Sequence, residues 1–119
     1  MRILITGSRD WEDVGFINAV LDDYSGEENV TLVSGACPKG ADLICENYAA
    51  WARWRIEEYP ALWDKYGKRA GMVRNAQMVA LGADVCLAFI KNRSPGATHT
   101  ARMAQEAGIE TIVYRIEDF

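Results

Sequence analysis

Residues 83–90 read ADVCLAFI, a run in which seven of the eight side chains are hydrophobic. A strand this apolar has no polar face to expose to solvent, so it is expected to be buried on both faces. Burial on both faces is typical of a parallel sheet that is covered by helices. This run therefore predicts an α/β fold, which requires further strands with helices between them.

Four other segments predict strands, namely RILITG (2–7), VTLVSG (30–35), RIEEYP (55–60) and ETIVYRI (110–116). Apolar residues at helical spacing, such as Val14, Ile17 and Leu21, predict helices in the intervals. Asp10 is expected to cap the first helix and Gly26 to end it. The other helices are expected around 44–52, at 72–82 and at 99–108, with 61–71 irregular and 91–98 a loop.

The resulting alternation of strands and helices is βαβαβαβαβ. Because crossovers between parallel strands are right-handed, it predicts a doubly wound, three-layer α/β sandwich of the Rossmann-like type. We expect a five-stranded parallel sheet in the order 3-2-1-4-5, within a single domain that spans residues 1–119.

Composition narrows the function classes. The chain has 119 residues and a formal net charge of −4, which disfavours non-specific binding to a nucleic-acid backbone. The three cysteines, Cys37, Cys45 and Cys86, lack the spacing of a metal site or a disulfide framework. We expect reduced thiols, a cytoplasmic location, no metal and no cofactor. We expect neither a signal peptide nor a membrane span, because no apolar run approaches the roughly 20 residues that a span needs.

In a doubly wound sheet, ligands bind beyond the carboxyl ends of the strands, at the switch between strands 1 and 4. This rule selects the loops at 7–10, 34–42 and 91–98 and the segment after strand 3. Each of them leads into a helix N-terminus that favours phosphate. Four glycines there are expected to permit close approach and positive φ: Gly7, Gly35, Gly40 and Gly96. Four hydroxyl side chains are expected to donate to a ligand: Ser8, Ser34, Ser94 and Thr98.

Positive charge gathers in the same regions. Of the 13 Lys and Arg residues, eight lie in the connections after the strands or at the start of the third helix. They are Arg9, Lys39, Lys65, Lys68, Arg69, Arg74, Lys91 and Arg93. This distribution predicts an anionic ligand. The sequence contains neither a GxxxxGK[ST] P-loop nor a GxGxxG fingerprint, which disfavours ATP hydrolysis.

Five motifs occur in order: ITGSRDW, LVSGACPKGAD, GKRAGMVRNAQM, ADVCLAF and SPGATHTARMAQEAGI. Together they resemble the SLOG superfamily of Rossmann-like proteins, named for the DNA-processing protein Smf/DprA and the LOG cytokinin-activating enzymes. Within it, the chain is most similar to small bacterial and phage members related to YspA. The resemblance implies binding of a nucleotide or a nucleotide-derived ligand. It places these residues around the ligand: Gly7, Ser8, Arg9, Ser34, Gly35, Gly40, Arg74, Asn75, Ser94, Gly96, Ala97 and Thr98. Lys39 is added to the expected ligand-binding residues because it is positively charged and lies in the loop after strand 2.

LOG-type members cleave the N-glycosidic bond between a base and ribose 5′-monophosphate. Their pattern after strand 4 is PGGxGTxxE, and the matching run here is RSPGATHTA. Thr98 retains the threonine of that pattern, whereas Ala101 stands where the family has glutamate. An oxocarbenium-like transition state needs nearby negative charge, which alanine does not supply.

Three functions stay open at this point. The first is a binding module or sensor that captures a nucleotide. The second is a nucleoside 5′-monophosphate phosphoribohydrolase that uses Arg74 with a displaced acid, either Asp10 or Asp42, although both aspartates are also expected as helix N-caps. The third is a single-stranded DNA-binding protein, which the negative net charge disfavours unless oligomerisation builds a basic groove.

The remaining polar candidates have structural alternatives. Cys37 is either a reactive thiol near a helix N-terminus or a small buried side chain, and His99 is either a proton carrier or a surface histidine. Aromatic residues cluster around strand 3 and are expected to form a self-association surface or a wall of the cleft. They are Tyr48, Trp51, Trp54, Tyr59, Trp63 and Tyr66. The resemblance also implies a homodimer or a higher oligomer.

Overall fold

The computed structural model describes residues 1–117 of the chain. Its strands are β1 (Arg2–Gly7), β2 (Thr31–Ser34), β3 (Arg55–Glu58), β4 (Val85–Lys91) and β5 (Glu110–Ile116). They form one parallel sheet in the order β3-β2-β1-β4-β5. The predicted fold class and strand order are therefore confirmed.

The helices are α1 (Val14–Asp22), α2 (Ala41–Trp51), α3 (Trp63–Tyr66), α4 (Ala70–Leu81) and α5 (Pro95–Glu106), with a 3-10 turn at Gly67–Arg69. The segment predicted to be irregular thus contains two short helical turns and the start of α4. No helix within residues 1–117 is long and apolar enough to cross a membrane.

The start of α1 differs from the prediction. Asp13, not Asp10, is the N-cap, and its carboxylate accepts a hydrogen bond from the Phe16 N–H at 3.0 Å. The indole of Trp11 is buried, and its Nε1 donates to the Asp13 carbonyl at 3.0 Å. Anchoring Trp11 in the core keeps the chain non-helical past Asp10, so the helix begins later. It also ends at Asp22, before Gly26.

The starts of α2 and α5 differ as well. Gly40 is the N-cap of α2, so the predicted capping role of Asp42 is wrong. Helix α5 begins at Pro95 rather than at residue 99, because proline needs no N–H at the first helical position and its φ already suits a helix. Gly96, Ala97 and Thr98 therefore belong to the first turn of α5 and not to a loop.

The central strands alternate between two apolar layers. Ile3 and Ile5 of β1 pack with Leu21 of α1 and Cys45 of α2 on one face of the sheet. Leu4, between them, packs with Met78 and other side chains of α4 and α5 on the opposite face. Because both faces are covered by apolar side chains, polar groups that could contact a ligand are confined to the rims of the sheet.

Candidate functional site

A cleft of about 530 Å³ opens at the carboxyl ends of β1, β2 and β4. It has walls from the loops after these strands and from α4 and the start of α5. Its lining includes nine predicted ligand-binding residues: Gly7, Arg9, Gly35, Lys39, Arg74, Asn75, Ser94, Gly96 and Ala97. Both predicted acid candidates, Asp10 and Asp42, also line it. The cleft thus lies at the edge of the sheet that the switch-point rule selects.

The register of the sheet holds two of these loops together. Gly7 lies opposite Phe89, and the Ser8 N–H donates to the Phe89 carbonyl at 2.9 Å. The Ser8 hydroxyl accepts from the Lys91 N–H at 2.7 Å and donates to the Lys91 carbonyl at 3.3 Å. Ser8 therefore joins the loops after β1 and β4 through bonds within the protein.

Close backbone approach explains two of the glycines. A Cβ on Gly7 would collide with Ala41 at the start of α2 and lie 2.9 Å from the Phe89 carbonyl oxygen. Gly40 has φ of 74°, and a Cβ there would collide with the backbone of Ser8 and Arg9. These contacts set α2 directly against the loop after β1.

Positive φ is distributed differently from the prediction. Among the four loop glycines only Gly40 adopts it, whereas Ala36, Asn92 and Arg93 do so with φ of 57°, 52° and 58°. A left-handed conformation is unfavourable for alanine. Ala36 follows Gly35 at the edge of the cleft, so backbone strain lies beside the site.

Arg74 of α4 reaches across the cleft to the loop after β2. Its Nη1 donates to the Gly35 carbonyl at 2.5 Å, and its Nε donates to Asn75 Oδ1 at 2.7 Å. A Cβ on Gly35 would lie 2.5 Å from Nη1, so this position requires glycine while the guanidinium stays in place. Nη2 has no hydrogen-bond partner among residues 1–117.

Asp42 presents a buried carboxyl group to the cleft, with 8% of the residue exposed. Its Oδ2 accepts a hydrogen bond from the Cys37 N–H at 3.2 Å. Burial raises the pKa of the Asp42 carboxyl above its usual value, while the Cys37 N–H, Arg74 and Arg9 oppose that rise. Asp10, by contrast, is exposed.

The N-terminus of α5 forms another wall of the cleft. Its N-cap Ser94 makes no side-chain cap hydrogen bond, and Pro95 has no N–H. In the described chain, the N–H groups of Gly96 and Ala97 have no acceptor. These donors and the positive end of the helix dipole suit an anion.

The charge of the lining contrasts with that of the chain. Among residues 1–117, the cleft is lined by five cationic side chains and two carboxylates. The cations are Arg9, Lys39, Lys68, Arg74 and Lys91, and the carboxylates are Asp10 and Asp42. The whole chain has a formal net charge of −4. The cleft is therefore a local positive region on an acidic protein.

Four predicted ligand-binding residues, Ser8, Ser34, Gly40 and Thr98, are absent from the lining. The Ser34 hydroxyl donates to Glu46 Oε2 at 2.8 Å and accepts from the Ala36 N–H at 3.1 Å. The Thr98 hydroxyl donates to the Ser94 carbonyl at 2.7 Å. These hydroxyl groups shape the loops through internal bonds, and contact with a ligand stays a prediction for them.

Sequence reasoning missed the face of α4 that lines the cleft. Gly71, Met72 and Met78 join Arg74 and Asn75 there, and Ile5 of β1 adds to the apolar part of the lining. The signal was the helical spacing of these positions around Arg74, which places them on one face. The cleft thus combines a cationic rim with an apolar surface.

Other candidates lie elsewhere. Ala101 is buried against the sheet with Ala88 and Ile90, and is not part of the lining. His99 is exposed on the outer side of α5, beside Arg102. Cys37 is half-buried and lines the cleft. Residues 1–117 contain no group of three or more His, Cys, Asp or Glu that could hold a metal ion.

None of the aromatic side chains clustered around β3 lines the cleft. Trp51 is 77% exposed and borders a separate apolar groove between α1 and α2, together with Tyr48. Trp54 packs on Tyr48 with a ring-centroid distance of 5.2 Å. The expected self-association surface stays a prediction.

Comparison with known proteins agrees with this architecture. A family model described as the YspA, cpYpsA-related SLOG family matches residues 1–66. The chain belongs to this family. The match spans β1 to α3. It includes the loops after β1 and β2, which carry Arg9 and Gly35, and the first turn of α2, which carries Asp42. Membership in this SLOG family indicates a nucleotide-related module with a Rossmann-like fold.

The SLOG chain also resembles a phage protein. It is 41% identical over 117 residues to the Gene 61 protein of Mycobacterium phage D29, and the match covers 93% of this chain and 94% of that protein. The similarity therefore extends to α4, β4 and α5, which complete the cleft. No solved structure gives a significant match.

Proposed function

We propose that the chain binds a nucleotide or a nucleotide-derived ligand in this cleft and acts as a sensor or ligand-binding module. The observation that carries the proposal is the convergence of five cationic side chains and a free helix N-terminus on one cleft of an acidic protein. Phosphate satisfies both features, because it accepts several hydrogen bonds and carries negative charge.

The start of α5 is the proposed phosphate position. The N–H groups of Gly96 and Ala97 are available there, and both residues line the cleft. Arg74 of α4 also lines the cleft and offers Nη2, while Nη1 and Nε are held by Gly35 and Asn75. A guanidinium that is already held loses little side-chain entropy when it binds an anion.

The apolar part of the lining suits the rest of a nucleotide. Met72 is 59% exposed and offers apolar surface on which a base can pack, with the buried side chains of Met78 and Ile5 behind the lining. Methionine adapts well to irregular apolar contacts and packs favourably on aromatic rings. A cleft of about 530 Å³ lies within the range of small-molecule sites.

Isothermal titration calorimetry with AMP, GMP, CMP, UMP and ribose 5-phosphate tests the proposal, with adenosine as the ligand without phosphate. We expect at least one phosphorylated ligand to bind, and adenosine to bind much more weakly. R74A should weaken binding by about tenfold to a hundredfold, because a hydrogen bond to a charged donor is lost.

R102A is the matched control. Arg102 lies exposed on α5 outside the cleft, and its removal changes the net charge by the same amount as R74A. It should leave the affinity within about twofold of wild type, since exposed charges at a distance are screened. Absence of binding for all five phosphorylated ligands would refute the proposal.

A second candidate function is hydrolysis of the N-glycosidic bond of a nucleoside 5′-monophosphate. One observation favours it: Asp42 lines the cleft and burial raises the pKa of its carboxyl, which is the direction that favours a general acid. Chromatography of the same nucleotides after incubation measures release of the free base. Release that stops in D42N and in R74A supports hydrolysis, and binding without release excludes it.

A further inference from the structure

If the cleft binds a nucleotide as proposed above, one of its side chains is placed to discriminate between ligands. We propose that Asp42 selects the ligand by accepting a hydrogen bond from a hydroxyl or amino group of the nucleotide through its second carboxylate oxygen, beside the anion-binding cations. Asp42 is thereby a specificity-determining residue of the same site.

The two oxygens of Asp42 differ in their surroundings. Oδ2 accepts from the Cys37 N–H at 3.2 Å, whereas Oδ1 has no hydrogen-bond partner within the described chain. No fully buried side-chain oxygen or nitrogen lacks a partner in residues 1–117. Since Asp42 lines the cleft and is otherwise buried, the accessible surface of Oδ1 is open to the cleft.

The neighbouring arginines do not occupy this oxygen. Arg74 and Arg9 are close enough to act on the Asp42 carboxyl electrostatically. Neither forms a salt bridge with it within 4.0 Å among the described residues. The bonds to Asn75 and Gly35 engage Nε and Nη1 of Arg74. Asp42, Arg74 and Arg9 all line the cleft, so a ligand group that enters it meets a carboxyl acceptor beside two cations.

A donor group on the ligand would donate a hydrogen bond to Oδ1 of Asp42. A buried polar group left unsatisfied is unfavourable, so a site built around one rejects analogues that lack the matching group. The ligand chemistry is an O–H or N–H group, which a nucleotide carries on the ribose and on some bases. An analogue without the contacted donor should bind about tenfold to a hundredfold more weakly.

The experiment compares whichever nucleoside monophosphate binds in calorimetry with its 2′-deoxy form, its 3′-deoxy form and, for AMP, with IMP, which lacks the exocyclic amino group. We expect one of these analogues to lose at least tenfold in affinity for the wild-type protein. The analogue that loses affinity identifies the donor as ribose hydroxyl or base amino group.

The D42N variant tests whether Asp42 causes this loss of affinity. Its amide oxygen can still accept from the Cys37 N–H, so its amino group would face the cleft and present a donor instead of an acceptor. We expect the difference between ligand and analogue to fall below about threefold in this variant. Should D42N prove too unstable, D42S gives the same comparison with a shorter side chain.

E46Q is the matched control. Glu46 lies one turn further along α2, and burial raises its pKa as it does for Asp42, but it does not line the cleft. Discrimination should persist in E46Q.

The outcomes separate the two proposals. If none of the phosphorylated ligands binds wild type, the proposed function fails. If a nucleotide binds but all analogues bind equally, or if D42N discriminates as wild type does, the role of Asp42 is refuted while the binding function stands.

Discussion

Replacing Gly35 with alanine places a methyl group where the Arg74 guanidinium lies. The new Cβ would be 2.5 Å from Nη1 and 2.9 Å from Cζ, well inside contact distance. The φ of Gly35 is not in the left-handed region, so the alanine backbone itself is not strained. The guanidinium must therefore move, and its hydrogen bond to the Gly35 carbonyl is lost or distorted.

The expected magnitude follows from two opposing effects. Loss of a hydrogen bond from a charged donor costs about 1.5–3 kcal/mol. Alanine restricts the unfolded chain and returns about 0.4–1 kcal/mol. We expect the free energy of unfolding to fall by about 1–2 kcal/mol in G35A, measured by urea denaturation. Affinity for a phosphorylated ligand should fall at least tenfold, because Nη2 moves with the rest of the group.

A double-mutant cycle isolates the collision. In an R74A background the added methyl group meets no guanidinium, so G35A should be neutral or stabilising there. G15A is a second reference, because Gly15 lies in α1 away from the cleft and its Cβ would have only an ordinary 3.7 Å contact. It should stabilise the protein by about 0.5–1 kcal/mol. Equal destabilisation by G35A with and without Arg74 would refute the reasoning.

Three further predictions concern other groups. D13A removes the N-cap of α1 and should lower the free energy of unfolding by about 1 kcal/mol in urea denaturation, whereas D10A should not. Half-buried Cys37 should react with a thiol reagent in the native protein, while Cys45 and Cys86 should react only after unfolding, because burial raises the pKa of both thiols, that of Cys86 to about 12. Because the pKa of Asp42 is raised in the folded state, ionisation of its carboxyl between acid and neutral pH destabilises the fold. The free energy of unfolding of D42N should therefore increase relative to that of wild type as the pH rises. A difference between the two proteins that stays constant across this pH range would contradict the prediction.

Much of the fold could be predicted from residue patterns. The apolar runs, such as the one at 83–90, and the helices between them predict a parallel sheet, and the handedness of crossovers restricts its order. The switch-point rule then predicted the edge at which the cleft lies and the loop that contains Gly35, whereas Arg74 was predicted from the resemblance and from its charge. These features depend on periodicity and chain order, both of which are local or topological.

The helix starts could not be predicted in the same way. Asp10 and Asp13 are both good N-cap residues, and the choice between them depends on Trp11, which is anchored in the core against Phe89 at a ring-centroid distance of 5.5 Å. Phe89 lies 78 positions further along the chain. A local signal contains no information about such a contact.

The sequence by itself determined the fold class, the sheet order and the rim at which the candidate ligand-binding residues gather, because hydrophobic periodicity and loop composition can be read directly along the chain. Only the tertiary structure decided what each polar group does there. In the fold, the hydroxyl groups of Ser8 and Ser34 form hydrogen bonds within the protein, and Arg74 donates to the Gly35 carbonyl. Asp42 is buried, and one of its two carboxyl oxygens accepts from the Cys37 N–H. Hydrogen bonds and burial depend on partners brought together from distant segments, so only the folded arrangement reveals which groups are left for a ligand.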